Sequence, residues 1–352
     1  MRTTLVPILL LFAFPMFAAE VKLVAGGGTG KDGRTATEVQ LREPFGVAWD
    51  KDGRMLVVEM KGNCLRRVEK GIVSTVGGDG TKGGTGDDGP AIKARFDGPH
   101  AVACLPNGNI LLSDTWNNRV RLIDAEGVIT TLAGTGEKGF SGDGGPATKA
   151  KFGGIYCSAV SRDGKRIYVA DLDNRRIRRI DRVTGLVTTV AGDGSKGVPK
   201  DGSEATKSPL VDPRAVAVDA DENVWILERG GHALRVVDKS GKIRTVAGTG
   251  KPGFGGDGGP AIAATLNGPK YLCVSPDGSI LIADTENHAI RRFSPKDGKI
   301  ATLAGTGKKG TAGIGGPPDE LQLNRPHGVE VHADGDIYIS DSDNHRVLRI
   351  VK

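Results

Sequence analysis

The stretch PHGVEVHADGDIYISDSDNHRVLRI, which runs from Pro326 to Ile350, contains the pattern that decides the fold. A proline opens a short run rich in β-branched residues, and a second run ends at Asp341. The pair Asp334-Gly335 separates the two runs, and Asp-Gly between apolar runs is a strong signal for a β-hairpin. A third apolar run follows His345. This segment therefore predicts three short antiparallel strands in succession.

The same pattern occurs six times along the 352 residues. Each copy opens with a proline, or with Ile155 in the third copy, and ends at an acidic residue. These acidic residues are Glu59, Asp114, Asp171, Glu228, Asp284 and Asp341. They are separated by 55, 57, 57, 56 and 57 residues. A fixed period of this length indicates a propeller, a solenoid or another repeat array.

A fourth run of the type TTVAG, such as Thr188 to Gly192, completes each repeat except the last. The segment VKLVAG, from Val21 to Gly26, matches this run but precedes every first strand. We expect it to complete the sixth repeat, because pairing of the two chain ends removes an open sheet edge. The sequence therefore predicts an all-β fold, a six-bladed β-propeller of four-stranded antiparallel blades closed by its N-terminal strand.

The first nineteen residues have the composition of a secretory signal peptide. Arg2 provides a positive start, Leu5 to Phe17 form an apolar stretch, and Ala18 and Ala19 are small residues before Glu20. The stretch is too short to span a bilayer. We expect cleavage after Ala19, a single propeller over residues 20–352, and a secreted or periplasmic protein without a membrane span.

The charge of the chain is mildly basic, with 48 Lys and Arg against 42 Asp and Glu. The basic run from Arg175 to Arg179 lies on a predicted third strand and matches the ordinary repeat pattern. Because the excess of positive charge is small and export removes most nucleic acid from reach, we expect no nucleic-acid partner. We expect a monomer whose partner is an extracytoplasmic protein or a small anionic ligand.

The four cysteines are expected to be unpaired and mostly buried. Cys104 and Cys157 fall on neighbouring first strands but three positions apart in register, or about 10 Å, and a disulfide needs Cα atoms within about 7 Å. Cys64 and Cys273 lie on other blades. No CxxC pair is present, so the sequence gives no support for a zinc knuckle or a thioredoxin-type site.

Two sets of varied residues are expected to meet at one mouth of the central channel. In a propeller, the links between blades and the turns between second and third strands lie on one face. The residues that follow the repeat proline form the first set, which is Phe45, His100, Tyr156, Arg214, Lys270 and His327. The turns provide the second set, which is Lys61, Trp116, Asp173, Arg229, Glu286 and Asp343. Variation on a repeated scaffold is where a binding or catalytic site is expected.

These residue types suggest two kinds of chemistry. Arg214, Arg229 and Lys270 favour an anion such as a carboxylate or a sulfate group, because arginine can bind a carboxylate through two parallel hydrogen bonds. Tyr156 is a candidate general acid or base beside these cations. For a binding surface, Phe45 and Trp116 are the candidate apolar anchors.

Three segments resemble NHL repeats, a family named for an Asn-His-Leu signature. They are LSDTWNNRVRLID (Leu112 to Asp124), IADTENHAIRRF (Ile282 to Phe293) and ISDSDNHRVLRI (Ile339 to Ile350). The glycine-rich links, such as AGTGEKGFSGDGGPATKAKF (Ala133 to Phe152), are similar to those of bacterial secreted NHL proteins and of the teneurin propeller. The resemblance implies a six-bladed propeller. It implies no single function, because the family includes lyases, sensor domains and binding platforms.

A more distant similarity to peptidylglycine alpha-amidating lyase bears on metal binding. Lyases of that type hold zinc with histidines from alternating blades, and His100 and His327 match two of those positions. The third position has Arg214, and catalytic zinc usually takes three protein ligands. His100 and His327 are therefore incomplete as a zinc site, and we predict no metal site from this sequence.

Three further groups of residues are expected to be structural. His232, His288 and His345 occupy the signature position of the turn. The six acidic residues that end the second strands should accept backbone N–H groups in that turn. The aspartates of the links, Asp87, Asp143 and Asp257, are the candidate calcium ligands, but they lack the spacing of an EF-hand. We therefore expect Asx-turns at these positions instead. The cofactor, if any, is left open between zinc and calcium.

The sequence favours an exported binding module whose central funnel takes a protein or a small anionic ligand. The alternative is a lyase or hydrolase that uses the same mouth. In that case His100, Tyr156, Arg214, Arg229 and His327 are the candidate catalytic residues, and Phe45, Trp116 and Lys270 are the candidate binding residues.

Overall fold

The computed structural model of the chain describes residues 19–351. The predicted signal peptide, residues 1–19, lies outside the described residues except for Ala19. Within the described range, no helix is long and apolar enough to cross a membrane. The described chain folds into six antiparallel sheets of four main strands each, which confirms the predicted propeller.

The strands follow each other along the chain as blades. The first strand, β1 (Glu20–Gly26), belongs to the last blade. Blade 1 consists of β2 (Pro44–Trp49), β3 (Met55–Glu59), β4 (Cys64–Glu69) and β5 (Ile72–Gly77). Blade 2 consists of β7 (Ala101–Cys104), β8 (Ile110–Asp114), β9 (Arg119–Ile123) and β10 (Val128–Ala133), with a short edge strand β6 (Gly89–Pro90). Blade 3 consists of β11 (Ile155–Val160), β12 (Arg166–Asp171), β13 (Arg176–Asp181) and β14 (Val187–Ala191).

Blades 4 to 6 repeat this arrangement. Blade 4 consists of β16 (Pro213–Val218), β17 (Val224–Glu228), β18 (Ala233–Val237) and β19 (Lys242–Ala247), with a short edge strand β15 (Ser203–Glu204). Blade 5 consists of β20 (Tyr271–Val274), β21 (Ile280–Asp284), β22 (Ala289–Ser294) and β23 (Lys299–Ala304). Blade 6 consists of β24 (Gly328–Val331), β25 (Ile337–Asp341) and β26 (Arg346–Val351), and β1 completes it.

Short 3-10 helices punctuate the links and the turns. They are Ala36–Glu38, Ala91–Lys93, Thr115–Asn117, Ala147–Lys149, Ala205–Lys207, Ala261–Ala263, Thr285–Asn287, Pro318–Glu320 and Ser342–Asn344. Several of them begin directly after a proline, such as Pro146 or Pro260, whose fixed φ suits the start of a helical turn.

The ring closes as predicted. Strand β1 pairs antiparallel with β26, and Leu23 lies opposite Leu348. The six inner strands, β2, β7, β11, β16, β20 and β24, each contact the next, and β24 contacts β2. Space at this seam is tight, because a Cβ atom at Gly328 would collide with the carbonyl oxygen of Phe45. Only glycine therefore fits at that position of the sixth blade.

An arginine on each third strand, buried in every blade except the first, connects the blade to its neighbouring segments. These arginines are Arg66, Arg121, Arg178, Arg235, Arg291 and Arg346. Each pairs with the acidic residue that ends the second strand of its own blade, as Arg235 does with Glu228 at 2.7 Å. The side chains of Arg121, Arg178 and Arg291 are fully buried. The basic run that contains Arg178 is thus partly interior.

The link aspartates have arginine partners rather than the predicted Asx-turns. Asp87, Asp143 and Asp257 form ion pairs with Arg121, Arg178 and Arg291 at 2.8, 2.7 and 2.6 Å. Asp87 and Asp143 also accept a hydrogen bond from a threonine hydroxyl of the outer strand. The Asx-turn prediction was wrong, because a buried guanidinium attracts these carboxylates more strongly than a local N–H group. The guanidinium groups therefore contact the same carboxylate oxygens that a calcium ion would need as ligands.

The acidic residues at the ends of the second strands accept backbone N–H groups, but from a different place than predicted. The donors lie 17 or 18 residues earlier, in the link that leads into the blade. Examples are Asp97 N to Asp114 Oδ1 at 2.9 Å and Asn324 N to Asp341 Oδ1 at 2.7 Å. The carboxylates therefore fix the link to the turn.

All four cysteines are free thiols, and three of them are buried, as predicted.

The arginine network generates a stability prediction with a matched control in the next residue. Arg291→Met should lower the free energy of unfolding by about 3–5 kcal/mol, because Asp284 would keep a buried charge without its partner. Arg292 points outward, is 47% exposed and pairs with the exposed Asp277, so Arg292→Met should cost less than about 1 kcal/mol. Guanidinium-induced unfolding of both variants measures the difference. Equal losses would contradict the structural role of the buried arginines.

Candidate functional site

Ten of the twelve residues in the two predicted sets line one mouth of the channel. The opening has a volume of about 430 Å³. We call it the funnel. Its walls include all eight candidate site residues, namely Phe45, His100, Trp116, Tyr156, Arg214, Arg229, Lys270 and His327. The inner strands provide the floor, because each first-set residue stands at or just before the start of an inner strand, and the turns provide the rim.

An aromatic cluster forms one side of the funnel. The ring of Phe45 stacks on His327 with centroids 4.2 Å apart and an interplanar angle of 9°. The edge contacts of His100 with Phe45 and with Tyr156 each have centroids 4.8 Å apart. Trp116, which is 47% exposed, stands at the rim beside His100 at 5.8 Å. These rings give the funnel a continuous apolar wall.

The two histidines are held as neutral rings in one tautomer. His100 Nδ1 lies 2.6 Å from the carbonyl oxygen of Gly98, and His327 Nδ1 lies 2.7 Å from that of Arg325. A carbonyl only accepts, so each Nδ1 carries the proton and donates it, and each Nε2 of the neutral ring is left as an acceptor. Burial, together with the nearby cations Arg214 and Lys270, holds the pKa of both rings well below the usual value. They are therefore neutral at physiological pH.

Arg214, on the fourth blade, is a cation of the funnel without a carboxylate partner in the part of the chain that the structure describes. Its guanidinium carbon lies 4.2 Å from the centroid of the Tyr156 ring, and Nη1 approaches the Tyr156 carbonyl oxygen at 3.5 Å. Only 4% of the residue is exposed. Burial lowers its pKa to about 10, so the group remains charged at neutral pH. Within residues 19–351, no Asp or Glu forms an ion pair with it.

The other cations of the funnel are already paired. Lys270 Nζ lies 2.6 Å from Glu286 Oε1, and Arg325 shares the same carboxylate at 3.0 Å. Arg229 Nη2 lies 3.3 Å from Asp212. Lys61 pairs with Glu43. Burial lowers the pKa of Lys270, although its contact with Glu286 opposes that effect.

These residues do not fit a zinc ion. Phe45 stands between the rings of His100 and His327 and contacts both. The third position holds the charged Arg214, which would repel a cation. Across the described part of the chain, no group of three or more His, Cys, Asp or Glu residues is arranged to hold a metal ion.

Sequence reasoning missed Arg325, Glu43 and Met60, which also line the funnel. Arg325 and Glu43 immediately precede the repeat proline, where the backbone has φ of 48° and 53°. Three other blades have glycine at this position, namely Gly98, Gly154 and Gly268, and glycine adopts positive φ without strain. An alignment of the six repeats would have revealed these two sites, because it shows a charged residue at a position where other blades have glycine.

The signature histidines lie outside the funnel and connect neighbouring blades. His232, His288 and His345 have positive φ, and each Nδ1 accepts a hydrogen bond from a backbone N–H of the next link, at Gly268, Arg325 and Glu43. Two of the predicted turn residues do not line the funnel. They are Asp173, which pairs with Lys138 at 2.7 Å, and Glu286, which pairs with Lys270 and Arg325.

Comparison with known proteins identifies the repeats. The model of the NHL repeat matches residues 266–293 and 323–350. NHL repeat-containing protein 2 of Gallus gallus is 26% identical over 339 residues, covering 86% of this chain and 46% of the relative. Teneurin-m of Drosophila melanogaster is 26% identical over 75% of this chain and 10% of the relative. Protein SUPPRESSOR OF QUENCHING 1, chloroplastic, of Arabidopsis thaliana is 27% identical over 73% of this chain and 25% of the relative. The chain thus spans less than half of the length of these curated relatives.

Solved structures share the fold at low sequence identity. An auxiliary nutrient binding protein from Bacteroides thetaiotaomicron superposes with a TM-score of 0.67 at 16% identity, covering 94% of this chain and 76% of the other. Virginiamycin B lyase from Staphylococcus aureus gives a TM-score of 0.52 at 15% identity, with coverage of 92% and 82%. A gluconolactonase from Xanthomonas campestris gives 0.58 at 12% identity, with coverage of 88% and 86%. These likenesses concern the fold alone.

Six blades of the same period, closure of the ring by β1 and the matches to NHL repeats agree. The chain is thus a six-bladed β-propeller that contains NHL repeats.

Proposed function

We propose that this protein is an exported binding module whose funnel takes a small anionic ligand. The observation that carries the proposal is Arg214, a buried guanidinium without a carboxylate partner in the described chain. An uncompensated buried charge is costly to a fold. Such a group is therefore expected at a binding site, where a ligand provides the missing anion.

The walls of the funnel define the chemistry of the ligand further. The fork of N–H groups on Arg214 suits a carboxylate or sulfate group. The rings of Phe45, Tyr156 and Trp116 suit a flat or apolar body. The bare Nε2 atoms of His100 and His327 accept hydrogen bonds, so they favour a hydroxyl or N–H group on the ligand. A small molecule with one acidic group and a planar body meets all three demands.

The setting of the protein is part of the proposal. We propose that residues 1–19 direct export and are removed, and that the mature chain acts as a monomer in the periplasm or outside the cell. One fold neighbour is named an auxiliary nutrient binding protein, which supports the binding of a small molecule by this architecture. A partner protein that presents an acidic side chain to Arg214 is the other occupant that the funnel could accept.

Substitution of Arg214 tests the binding site. Isothermal titration calorimetry at low salt would use benzoate, sulfate and acetate as probes, and we expect benzoate to bind most tightly. Arg214→Gln should weaken benzoate binding by about tenfold or more, because charge-assisted hydrogen bonds are worth about 1.5–3 kcal/mol. Arg229→Gln, which removes an exposed and already paired cation, should change affinity by less than about threefold. Absence of binding to the wild-type protein, or an equal loss in both variants, would contradict the proposal.

Arg214 should also reduce the stability of the ligand-free protein. Arg214→Met is expected to raise the free energy of unfolding by about 1–3 kcal/mol, because it removes a buried charge that lacks a partner. Arg235 is equally buried but pairs with Glu228, so Arg235→Met should lower stability. Chemical denaturation without ligand measures both. A loss of stability in Arg214→Met would show that the guanidinium has a structural role.

A second candidate function is catalysis in the same funnel. The neutral, tautomer-fixed rings of His100 and His327 are suited to act as general bases, because Nε2 is free to take a proton. Tyr156, between His100 and Arg214, is the candidate acid. Two fold neighbours are named as a virginiamycin B lyase and a gluconolactonase, which shows that enzymes use this fold.

Turnover assays separate the two functions. Purified protein would be incubated with a streptogramin B and with a gluconolactone, beside the His100→Ala, His327→Ala double variant and with elemental analysis of both proteins. The binding proposal predicts no turnover and no stoichiometric zinc. Turnover that the double variant loses would replace it with the enzyme function.

A further inference from the structure

A second cavity lies in the channel below the funnel. It has a volume of about 320 Å³ and shares no lining residue with the funnel. Tyr271, the residue directly after the first-set residue Lys270, lies between the two cavities. The other blades have small residues at the same repeat position, which are Gly46, Ala101, Cys157, Ala215 and Gly328. The cavity continues past Val160, Val218 and Val274 into a larger opening among the turns between first and second strands. We call it the lower channel, and it is reached from the face opposite the funnel.

One position of the repeat changes character in the sixth blade. The third residue after each first-set position lines the lower channel. These residues are Ala48, Ala103, Ala159, Ala217, Cys273 and Glu330. Five small side chains leave room around a single carboxyl group. A repeat that needed only stability would have a small residue in the sixth blade as well.

Glu330 has no cationic partner within residues 19–351. Its Oε1 accepts one hydrogen bond, from the N–H of Val331 at 3.3 Å, and no other side chain bonds to it. Burial raises the pKa of Glu330 to about 8. The ionised form is thus disfavoured by burial, and a bound cation would favour it.

The surrounding walls specify what kind of cation fits. Apolar side chains such as Val102, Val216 and Leu272 form most of the lining, and Trp49 contributes an indole ring. Apolar walls favour a carbon-containing body, and an indole face attracts a cation. We propose that the lower channel binds a small organic ammonium ion, with Glu330 as its counter-ion and Trp49 as an aromatic wall.

A metal ion is a poorer occupant of the lower channel. Cys273 and Cys157 lie near Glu330, yet the described residues form no set of three metal ligands. Burial raises the pKa of the Cys157 thiol to about 11 and that of Cys273 well above its usual value. Both thiols are therefore protonated, whereas the thiolate is the metal ligand.

The groups that face Glu330 stay neutral over the pH range of the test. Tyr271 and Cys273 on β20, Cys157 on β11 and the cross-strand neighbour Tyr338 on β25 all have raised pKa values. The inner strand β2 contributes no titratable side chain between Pro44 and Trp49. Cys104 on β7 also lines the lower channel, and burial raises its pKa to about 12. Of these described groups, Glu330 is thus the one whose charge changes near pH 8.

Calorimetry with n-butylammonium tests the site. This probe stays protonated, like a lysine side chain, and needs ionised Glu330. Affinity should rise by roughly twentyfold from pH 6.5 to pH 8.5, because the ionised fraction of a group with a pKa of about 8 rises by that factor. At pH 6.5 binding should release about one proton per ammonium bound, which different buffers reveal through their ionisation enthalpies.

Variants identify the residues involved. Glu330→Gln, which matches the neutral acid in shape, should abolish binding, and Trp49→Leu should weaken it by about threefold or more. Glu320→Gln, the same change at an exposed position of the link into the sixth blade, should leave it unchanged. Binding that persists in Glu330→Gln, or no binding at pH 8.5, would overturn the proposal. Tight binding of Zn²⁺ or Ca²⁺ that depends on Glu330, without binding of the amine, would replace it with a metal site.

Discussion

The pairing of β1 with β26 is the contact on which the remaining structure depends. It joins the two ends of the described chain and brings the sixth blade against the first. At that seam the backbone of Gly328 packs directly on Phe45, so His327, Phe45 and His100 form one wall although they come from three blades and opposite ends of the sequence. Closure therefore does more than hide a sheet edge, because it creates the side of the funnel that carries both neutral imidazoles.

Arginine has opposite roles in the body of the blades and in the channel. On the third strands, buried guanidinium groups such as Arg121 and Arg291 have two carboxylates each, one from the second strand and one from a link. Arg214 is buried to a similar degree but lacks such a partner among the described residues, and Glu330 is the corresponding carboxyl group without a cationic partner. A fold that pairs its buried charges so regularly makes these two exceptions informative, since a ligand of opposite charge could pair with each group.

The sequence predicts the architecture well because periodicity and turn residues are local signals. The period, the Asp-Gly turns and the displaced strand near Leu23 were sufficient for six blades and a closed ring. The first-set positions also predict which side chains share the funnel, because every blade places the start of its inner strand at the same mouth. The ion-pair partners of individual side chains are harder to predict. Asp87 has the sequence context of a turn residue, and its partner Arg121 lies 34 positions away, so their contact becomes visible only in the folded chain. Glu330 escaped notice because its significance lies in the contrast with five small residues at the same repeat position.

Among the described residues of the funnel, the guanidinium of Arg214 is the positive charge without a carboxylate partner. Anomalous diffraction from crystals grown with selenate, an analogue of sulfate, measures directly where an oxyanion binds. We expect an anomalous peak in the funnel, with selenate oxygens about 3 Å from the Arg214 nitrogens and the ion beside the Tyr156 ring. A funnel without anomalous density, in crystals where selenate occupies other cations of the surface, would contradict it.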